Sequence, residues 1–370
     1  MSEKERSEAL QEAGRVMTIC NSCRYCEGFC AVFPAMELRR TFTDGDLKYL
    51  SNLCHNCRDC YYACQFAPPH EYNLNFPQAM ANLRGETYRE FVWPGFLAPL
   101  FKRNGLTIFL ATLFSVLGVY LFARMKENGV ENILGTWTGD GSFYTIIPEH
   151  ELLISFSIVA LWALIAFIGG IWKFWKTINP TNEKFFSGSG NKGALMDVLR
   201  LKYLEGGSYG CNYPDEKFSM SRRYMHHLIF YGFFSCLAST TIAAVMDHVL
   251  GMPAPYSWYS LPVILGTLGG TAIIIGLIGM IYLKTNQDQR PLAAEGMVMD
   301  YGFIILLLLV NITGLALLFV RDTPLMGSLL ILHLGVVFAF FLTLPCGKFV
   351  HAIYRYVALV RHNQEQANRK

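Results

Sequence analysis

Two short stretches hold eight of the 11 cysteines in this sequence: CNSCRYCEGFC at residues 20–30 and CHNCRDCYYAC at residues 54–64. Each has three cysteines separated by two residues and a fourth after three more, and the stretches repeat at an interval of 34 residues. Three thiolates at this spacing wrap three corners of an iron–sulfur cubane, and a fourth cysteine completes the ligand set. The pattern therefore predicts two 4Fe–4S clusters.

The fourth cysteine of each stretch is predicted to serve the cluster of the other stretch, as in two-cluster domains of this spacing. One cluster would be bound by Cys20, Cys23, Cys26 and Cys64. The other would be bound by Cys54, Cys57, Cys60 and Cys30. Zinc is the competing metal, but its sites usually combine two cysteine pairs that lie far apart. A disulfide framework suits small secreted domains and fits poorly with a reducing cytoplasm.

The segment between the two stretches is predicted to be helical. Thr43 or Asp44 can cap a helix there, and Leu47, Leu50 and Leu53 follow at helical spacing. A compact ferredoxin hairpin would instead show short alternating strands. Residues 1–95 are therefore predicted to form an α-helical ferredoxin-like domain. Because residues 1–15 are polar and lack the apolar region of a secretory signal, this domain is expected in the cytoplasm.

From Trp93 onward the sequence changes to long apolar runs, and the whole chain is 52% hydrophobic but only 16% charged. Crossing a bilayer takes about 20 apolar residues, and in lipid such a run must be helical. Residues 96–370 are therefore predicted to be a transmembrane bundle of six helices, so that the fold is all-α. The predicted spans are 106–124, 152–172, 227–246, 261–283, 302–320 and 330–350.

The lysines and arginines between the runs predict the orientation of the bundle. The segment 173–225, between the second and third runs, carries nine of them, whereas residues 247–260, between the third and fourth, carry none. Basic loops stay on the cytoplasmic side. An even number of spans then places both termini in the cytoplasm. We expect a multi-pass protein of the bacterial inner membrane, with the lipid bilayer as one partner and no nucleic acid among the others.

Five histidines lie at the ends of the predicted spans, where ionisable residues are functional candidates. His226 and His227 begin the third span, His248 ends it, and His333 and His351 lie 18 residues apart in the sixth. Five helical turns separate the last two, which would place both on one face of a helix about 27 Å apart. The antiparallel spans thus predict one histidine pair near each face, and such pairs hold haem b. The alternative is that these histidines lie in the headgroup region of the bilayer and bind no haem.

Two choices stay open at this stage. Helical phase favours His226 over His227 as the ligand on the third span. Arg222 and Arg223 would either pair with haem propionates or provide ordinary positive charge on the cytoplasmic side. The predicted cofactors are therefore two 4Fe–4S clusters and one or two haems b.

The two cysteine motifs, RRYMHHLIFYGFF (222–234) and ILHLGVVFAFFLTLPCGKFVHAIYR (331–355) resemble the tricarballylate/citrate-utilisation protein B family. The cysteine domain also resembles the α-helical ferredoxins of fumarate reductase and heterodisulfide reductase. The membrane part is similar to the haem b subunits of heterodisulfide reductase and respiratory nitrate reductase. That similarity favours His227, five residues before Gly232-Phe233, as a ligand. Those subunits place a histidine of their second haem about ten residues into this helix, whereas this sequence has Ser235, Cys236 and Leu237 there.

The resemblance implies a protein that reoxidises the reduced FAD of a partner tricarballylate dehydrogenase and passes electrons to membrane quinone. No G-x-G-x-x-G nucleotide fingerprint follows a strand in this chain, so the FAD would belong to the partner. Two other functions are compatible with the same residues. The flow could run from quinol to a cytoplasmic reductase, or the protein could be a membrane redox sensor or scaffold without turnover.

Overall fold

A computed structural model describes residues 6–126, 129–179, 183–186, 188–207 and 209–369. Residues 1–5 of the predicted cysteine domain and residue 370 of the predicted membrane domain lie outside these ranges. The fold is all-α, and within the described ranges the only strands are two of two residues each, β1 (Cys211–Asn212) and β2 (Phe218–Ser219), paired antiparallel. The helices that precede the first long apolar helix are α1 (Glu8–Cys23), α2 (Val32–Met36), α3 (Asp44–Leu53), α4 (Asp59–Tyr62), α5 (Phe76–Phe91) and α6 (Ala98–Lys102).

The linker between the cysteine motifs is helix α3, as the sequence predicts. Thr43 is its N-cap: its hydroxyl accepts the backbone N–H of Asp46, and the Asp46 carboxylate accepts the backbone N–H of Thr43. This reciprocal capping box satisfies two orphan donors of the first turn. Leu47, Leu50 and Leu53 all lie in the core between α1, α3 and α5. The cysteine domain (residues 6–95) thus packs around an apolar core that it shares with later parts of the chain.

Six helical segments are long and apolar enough to cross a membrane, and they overlap the six predicted spans. In chain order they are Asn104–Arg124, Glu149–Ile178, Ser221–His248, Leu261–Thr285, Ala294–Val320 and Met326–Cys346. Their α-helices are α7 (Asn104–Arg124), α9 (Glu149–Ile178), α11 (Ser221–His248), α12 (Leu261–Thr285), α13 (Met297–Val320) and α14 (Met326–Thr343). Two shorter helices, α8 (Gly129–Leu134) and α10 (Gly188–Leu199), lie in the connections.

The sixth predicted span is not one continuous helix, so the prediction that His333 and His351 share a helix is wrong. Helix α14 ends at Thr343, a 3₁₀ turn follows over Leu344–Cys346, and a separate helix α15 runs over Val350–Ala367. Pro345 lacks a backbone N–H, and Gly347 adopts an extended conformation with φ −128° and ψ −170°. His333 therefore lies on α14 and His351 on α15.

Helix α15 packs against the cysteine domain. Tyr354, Val357 and Val360 are buried in the same core as helices α1, α3 and α5. Polar contacts reinforce this packing, because Arg39 donates to Asp46 at 2.6 Å and to Glu365 of α15 at 2.5 Å. The C-terminal helix therefore joins the cysteine domain to the membrane helices.

Candidate cofactor sites

The first candidate site contains the four cysteines predicted for one cluster. A pocket of about 230 Å³ is lined by Cys20, Cys23, Cys26 and Cys64, and also by Cys60 of the other predicted set. Helix α1 ends at Cys23, and the left-handed conformation of Arg24 (φ 55°) turns the chain toward Cys26. Cys64 comes from the second motif, just beyond α4. The structure therefore brings together the first three cysteines of the first motif and the last cysteine of the second.

The chemistry of this first site suits a bound cationic metal cluster. Burial, followed by the charges of Cys26, Cys64 and Cys23, raises the pKa of the Cys20 thiol. Burial and the charges of Cys64 and Cys23 likewise raise the pKa of Cys26 to about 12. Thiolates crowded in this way need a metal to stay deprotonated together. Cys23 is exposed, so this site has an edge open to solvent.

The second candidate site is more enclosed. Cys54, Cys57 and Cys60 are buried, and Cys30 of the first motif is half-buried beside them. Burial and the charge of Cys54 raise the pKa of Cys30, and burial with the charges of Cys30 and Cys54 raises the pKa of Cys60. Cys30 is thus close enough to Cys54 and Cys60 to interact with their charges, and the exchange of fourth ligands stays a prediction.

In the described ranges, no three His, Cys, Asp or Glu side chains converge on a position for a single metal ion. A cubane is held at its corners, so its cysteines surround a multi-atom body rather than one ion.

A third candidate site is a cavity of about 560 Å³ between the cysteine domain and the membrane helices, called the histidine cavity here. Its volume falls within the range of about 300–1,000 Å³ that is usual for cofactor sites. His226 of α11 and His351 of α15 both line it, and their ring centres lie 6.3 Å apart. The Nδ1 atom of His351 lies 2.6 Å from the carbonyl oxygen of Lys348, to which it would donate. Such a bond orients a ligating imidazole and leaves Nε2 for the metal.

The separation of the two imidazoles fits a metal held between them. A metal–nitrogen bond of about 2.0–2.1 Å on each side, plus about 1.1 Å from each nitrogen to its ring centre, gives about 6.3 Å. Burial and the positive charges of Lys348 and Arg355 lower the pKa of His351, which keeps the ring neutral and able to ligate. The residues present therefore fit a bis-histidine haem.

The walls of the histidine cavity are cationic. Its basic side chains near the histidines include Arg222, Lys284, Lys348 and Arg355. Asp300 forms ion pairs with both Lys284 and Lys348. The Nζ atom of Lys348 lies 2.6 Å from the carboxylate of Asp300. Burial and the positive charge of Arg84 lower the pKa of Arg355 to about 10, so this guanidinium remains charged at neutral pH. The excess of positive charge would suit the two propionates of a haem. Arg223 instead pairs with Glu205 at 3.0 Å.

Arginine side chains connect this cavity to the second cysteine site. Arg222 donates to the carbonyl oxygens of Asn56 (2.7 Å) and His55 (2.9 Å), which lie between Cys54 and Cys57. Arg355 donates to the carbonyl oxygen of Cys54 itself at 2.9 Å. Sequence reasoning missed Arg355, although its spacing of four residues from His351 is a helical signal that would have found it.

The other predicted histidines have different surroundings. His227 stacks on Tyr231 with ring centres 5.8 Å apart and is not among the residues that line the histidine cavity. The Nδ1 atom of His333 lies 3.0 Å from the hydroxyl oxygen of Thr313, and that of His248 lies 2.8 Å from a carboxylate oxygen of Glu149. The ring contacts of the described residues include none between His248 and His333. The structure thus pairs His351 with His226 and leaves the far pair apart.

The comparisons with known proteins identify the family of the chain. The model of the Citrate utilization protein B family matches residues 99–370, and that of the Citrate utilization protein B Fer4-like domain matches residues 13–90. Citrate utilization protein B of Escherichia coli is 43% identical over 356 residues, which cover 96% of this chain and 92% of that protein. No solved structure matches the chain. The chain therefore belongs to the citrate utilization protein B family.

Proposed function

We propose that this protein carries electrons from the reduced FAD of a cytoplasmic tricarballylate dehydrogenase to the quinone pool of the bacterial inner membrane. The observation that supports this most strongly is the order of the three candidate sites. The first cysteine site has an exposed edge, the second is buried, and the histidine cavity lies between the second site and the membrane helices. This order runs from the cytoplasm to the bilayer.

The residues of each site have a defined part in this proposal. The cysteine sets of Cys20 and Cys54 hold one cluster each, and His226 and His351 hold one haem b, with Arg222, Lys284, Lys348 and Arg355 balancing its charge. When bound, these groups supply single-electron steps between a flavin and a quinone, which each exchange two electrons. Among the described residues a histidine–histidine ring contact joins His226 and His351 but not His248 and His333, so we propose one haem and no second.

The substrate class follows from the family. The relative from Escherichia coli is named for citrate utilization, and the sequence resemblance includes tricarballylate. We therefore propose that the partner is an FAD-dependent dehydrogenase of a tricarboxylate. Both termini and the basic segment 173–225 would face this partner in the cytoplasm.

The test follows electrons through purified protein. The partner flavoprotein and its substrate should reduce the clusters and produce the absorbance bands of reduced haem b, and added quinone should then abolish those bands. In the His226→Ala variant the clusters should be reduced without haem bands and should not be reoxidised by quinone, whereas His227→Ala, changed one residue along the same helix, should behave as the wild type. Clusters that become reduced and never return electrons to quinone would refute the proposal.

A further inference from the structure

Arg222 and Arg355 both bond the loop that joins Cys54 to Cys57 in the second cysteine site, and both line the histidine cavity. Arg222 reaches the loop from the membrane helix α11, and Arg355 reaches it from the C-terminal helix α15. Each guanidinium therefore contacts the backbone that carries the cluster cysteines and faces the space where a haem would bind.

The spacing along each helix explains this double contact. Arg222 precedes His226 by four residues on α11, and Arg355 follows His351 by four residues on α15. Residues four apart lie on the same face of a helix, about one turn from each other. The fork of Arg222 then spans two successive carbonyl oxygens, a contact that the single ammonium group of a lysine makes less well.

We propose that Arg222 and Arg355 are positioning residues that couple the second cluster to the haem, each by holding the cluster loop against a haem ligand. This inference rests on the proposed function. Because each guanidinium lies close to both centres, its positive charge favours the reduced, more negative form of both. One arginine thereby sets two reduction potentials, and it fixes the separation that an electron must cross.

Neighbouring basic residues show why these two are singled out. Arg223, next to Arg222 on α11, bonds Glu205 and the carbonyl oxygen of Arg200, and makes no contact with the cluster loop among the described residues. Arg84 also donates to the carbonyl oxygen of Cys54, at 2.7 Å, but it comes from α5 of the cysteine domain itself. Among the residues that the structure describes, only Arg222 and Arg355 reach the cluster loop from the elements that carry the two histidines.

The experiment is a redox titration of the full-length protein, with optical detection of haem and paramagnetic resonance detection of the clusters. In Arg222→Gln, the haem and one of the two clusters should both shift to lower potential, while the other cluster keeps its value. A tenfold loss in the preference for the reduced form would correspond to about 59 mV for each one-electron centre. Arg222→Lys should restore most of the shift, and Arg223→Gln should leave all three potentials unchanged.

Several results would overturn the inference. In a variant that retains its iron and haem content, unchanged potentials, or a shift confined to one centre, would show that the arginines do not couple the two. Arg355→Gln provides the second test, because its charge reaches the loop from the other helix and should shift the same two centres. A wild-type protein without haem bands would instead refute the proposed function, and the spectrum would reveal this before any variant is compared.

Discussion

His226 and His227 are neighbours in sequence but not in environment. Successive residues of an α-helix point about 100° apart, so only one of the two can face a given partner. The His226 ring lies 6.3 Å from that of His351, whereas the His227 ring stacks on Tyr231. The structure therefore favours the ligand indicated by helical phase over the one indicated by resemblance.

Alanine substitutions of the two neighbours should separate these roles. We expect His226→Ala and His351→Ala to lose the haem, because each removes one of two axial ligands. His227→Ala should retain the wild-type haem content, since the His227 ring is not among those that line the histidine cavity. The measurement is haem per protein, taken in samples with equal acid-labile sulfide, which shows that the cysteine domain is intact.

His333→Ala extends the same experiment to the far side of the bundle. The His333 ring bonds Thr313 and has no histidine partner among its described contacts, so we expect the haem content to stay at the wild-type value. A variant that loses half of the haem would contradict this expectation and would indicate a second haem.

The cysteine ligands could be predicted at this scale, whereas the bonds of the arginines to the cluster loop could not. Cluster cysteines follow from spacing, because three of the four ligands lie within one short loop. The bonds of Arg355 to the second motif join residues that are 301 positions apart. Contacts of that range depend on how α15 docks, and local pattern carries no information about docking.

Among the elements, α15 departs most from the sequence prediction. Its first residues continue the apolar run of α14, so hydropathy extends the span through Val350. Pro345 and Gly347 end the helix earlier, and α15 then packs its apolar face against the cysteine domain. A break in the helix is visible in the sequence as proline and glycine, but the partner of the next helix is not.

The contact between α3 and α15 supplies the second prediction. Glu365 accepts from Arg39 at 2.5 Å, from Arg361 at 2.9 Å and from Tyr49 at 3.1 Å, and these groups are largely buried. Removing one partner of a buried ion network leaves uncompensated charge and typically costs about 3–5 kcal/mol. Glu365→Gln should therefore lower the denaturant midpoint of the cysteine domain, measured by loss of cluster absorbance.

A surface pair provides the control for this variant. Glu12 pairs with Arg15 at 2.7 Å, and both side chains are 42% exposed. Exposed pairs contribute about 0–1 kcal/mol, so Glu12→Gln should leave the midpoint almost unchanged. Equal shifts in the two variants would show that the Glu365 network does not join the helices.

The third prediction concerns the close packing of α11 on α12. A Cβ atom at Gly276 would lie 2.7 Å from the carbonyl oxygen of Met225, the residue before His226. Such overpacking typically costs about 1–3 kcal/mol, and here it would displace the backbone that carries a haem ligand. We expect Gly276→Ala to lower haem per protein, measured from the reduced absorbance bands.

Gly118 of α7 is the matched control, because a Cβ atom there would meet nothing within 4 Å. Alanine raises helix propensity at both positions by a similar amount, so the comparison isolates the packing of α11 on α12. Gly118→Ala should keep the wild-type haem content. If Gly276→Ala kept it as well, α11 would be free to move without losing its ligand.

For the molecule as a whole, the three candidate sites form a series of decreasing access to solvent. Cys23 is exposed, whereas Cys54, Cys57 and Cys60 are buried, and Cys57 packs with Cys211 of β1 and Leu283 of α12. Asp59 helps to keep β1 in place by accepting the backbone N–H groups of Gly207 and Asn212. Electrons from a soluble partner would therefore meet the first cluster before the second.

This series predicts that an oxidant in solution attacks the two clusters at different rates. Limited treatment with ferricyanide should release iron in two phases of similar size, a fast one from the site of Cys23 and a slow one from the buried site. Cys23→Ala should abolish the fast phase and Cys57→Ala the slow one, as followed by iron release and by the paramagnetic resonance of each cluster. Loss of both clusters at one rate would mean that the second motif is as open as the first. The two-phase result would support an entry point at Cys23, because the site that an oxidant reaches first is also the one that a docked flavoprotein can approach most closely.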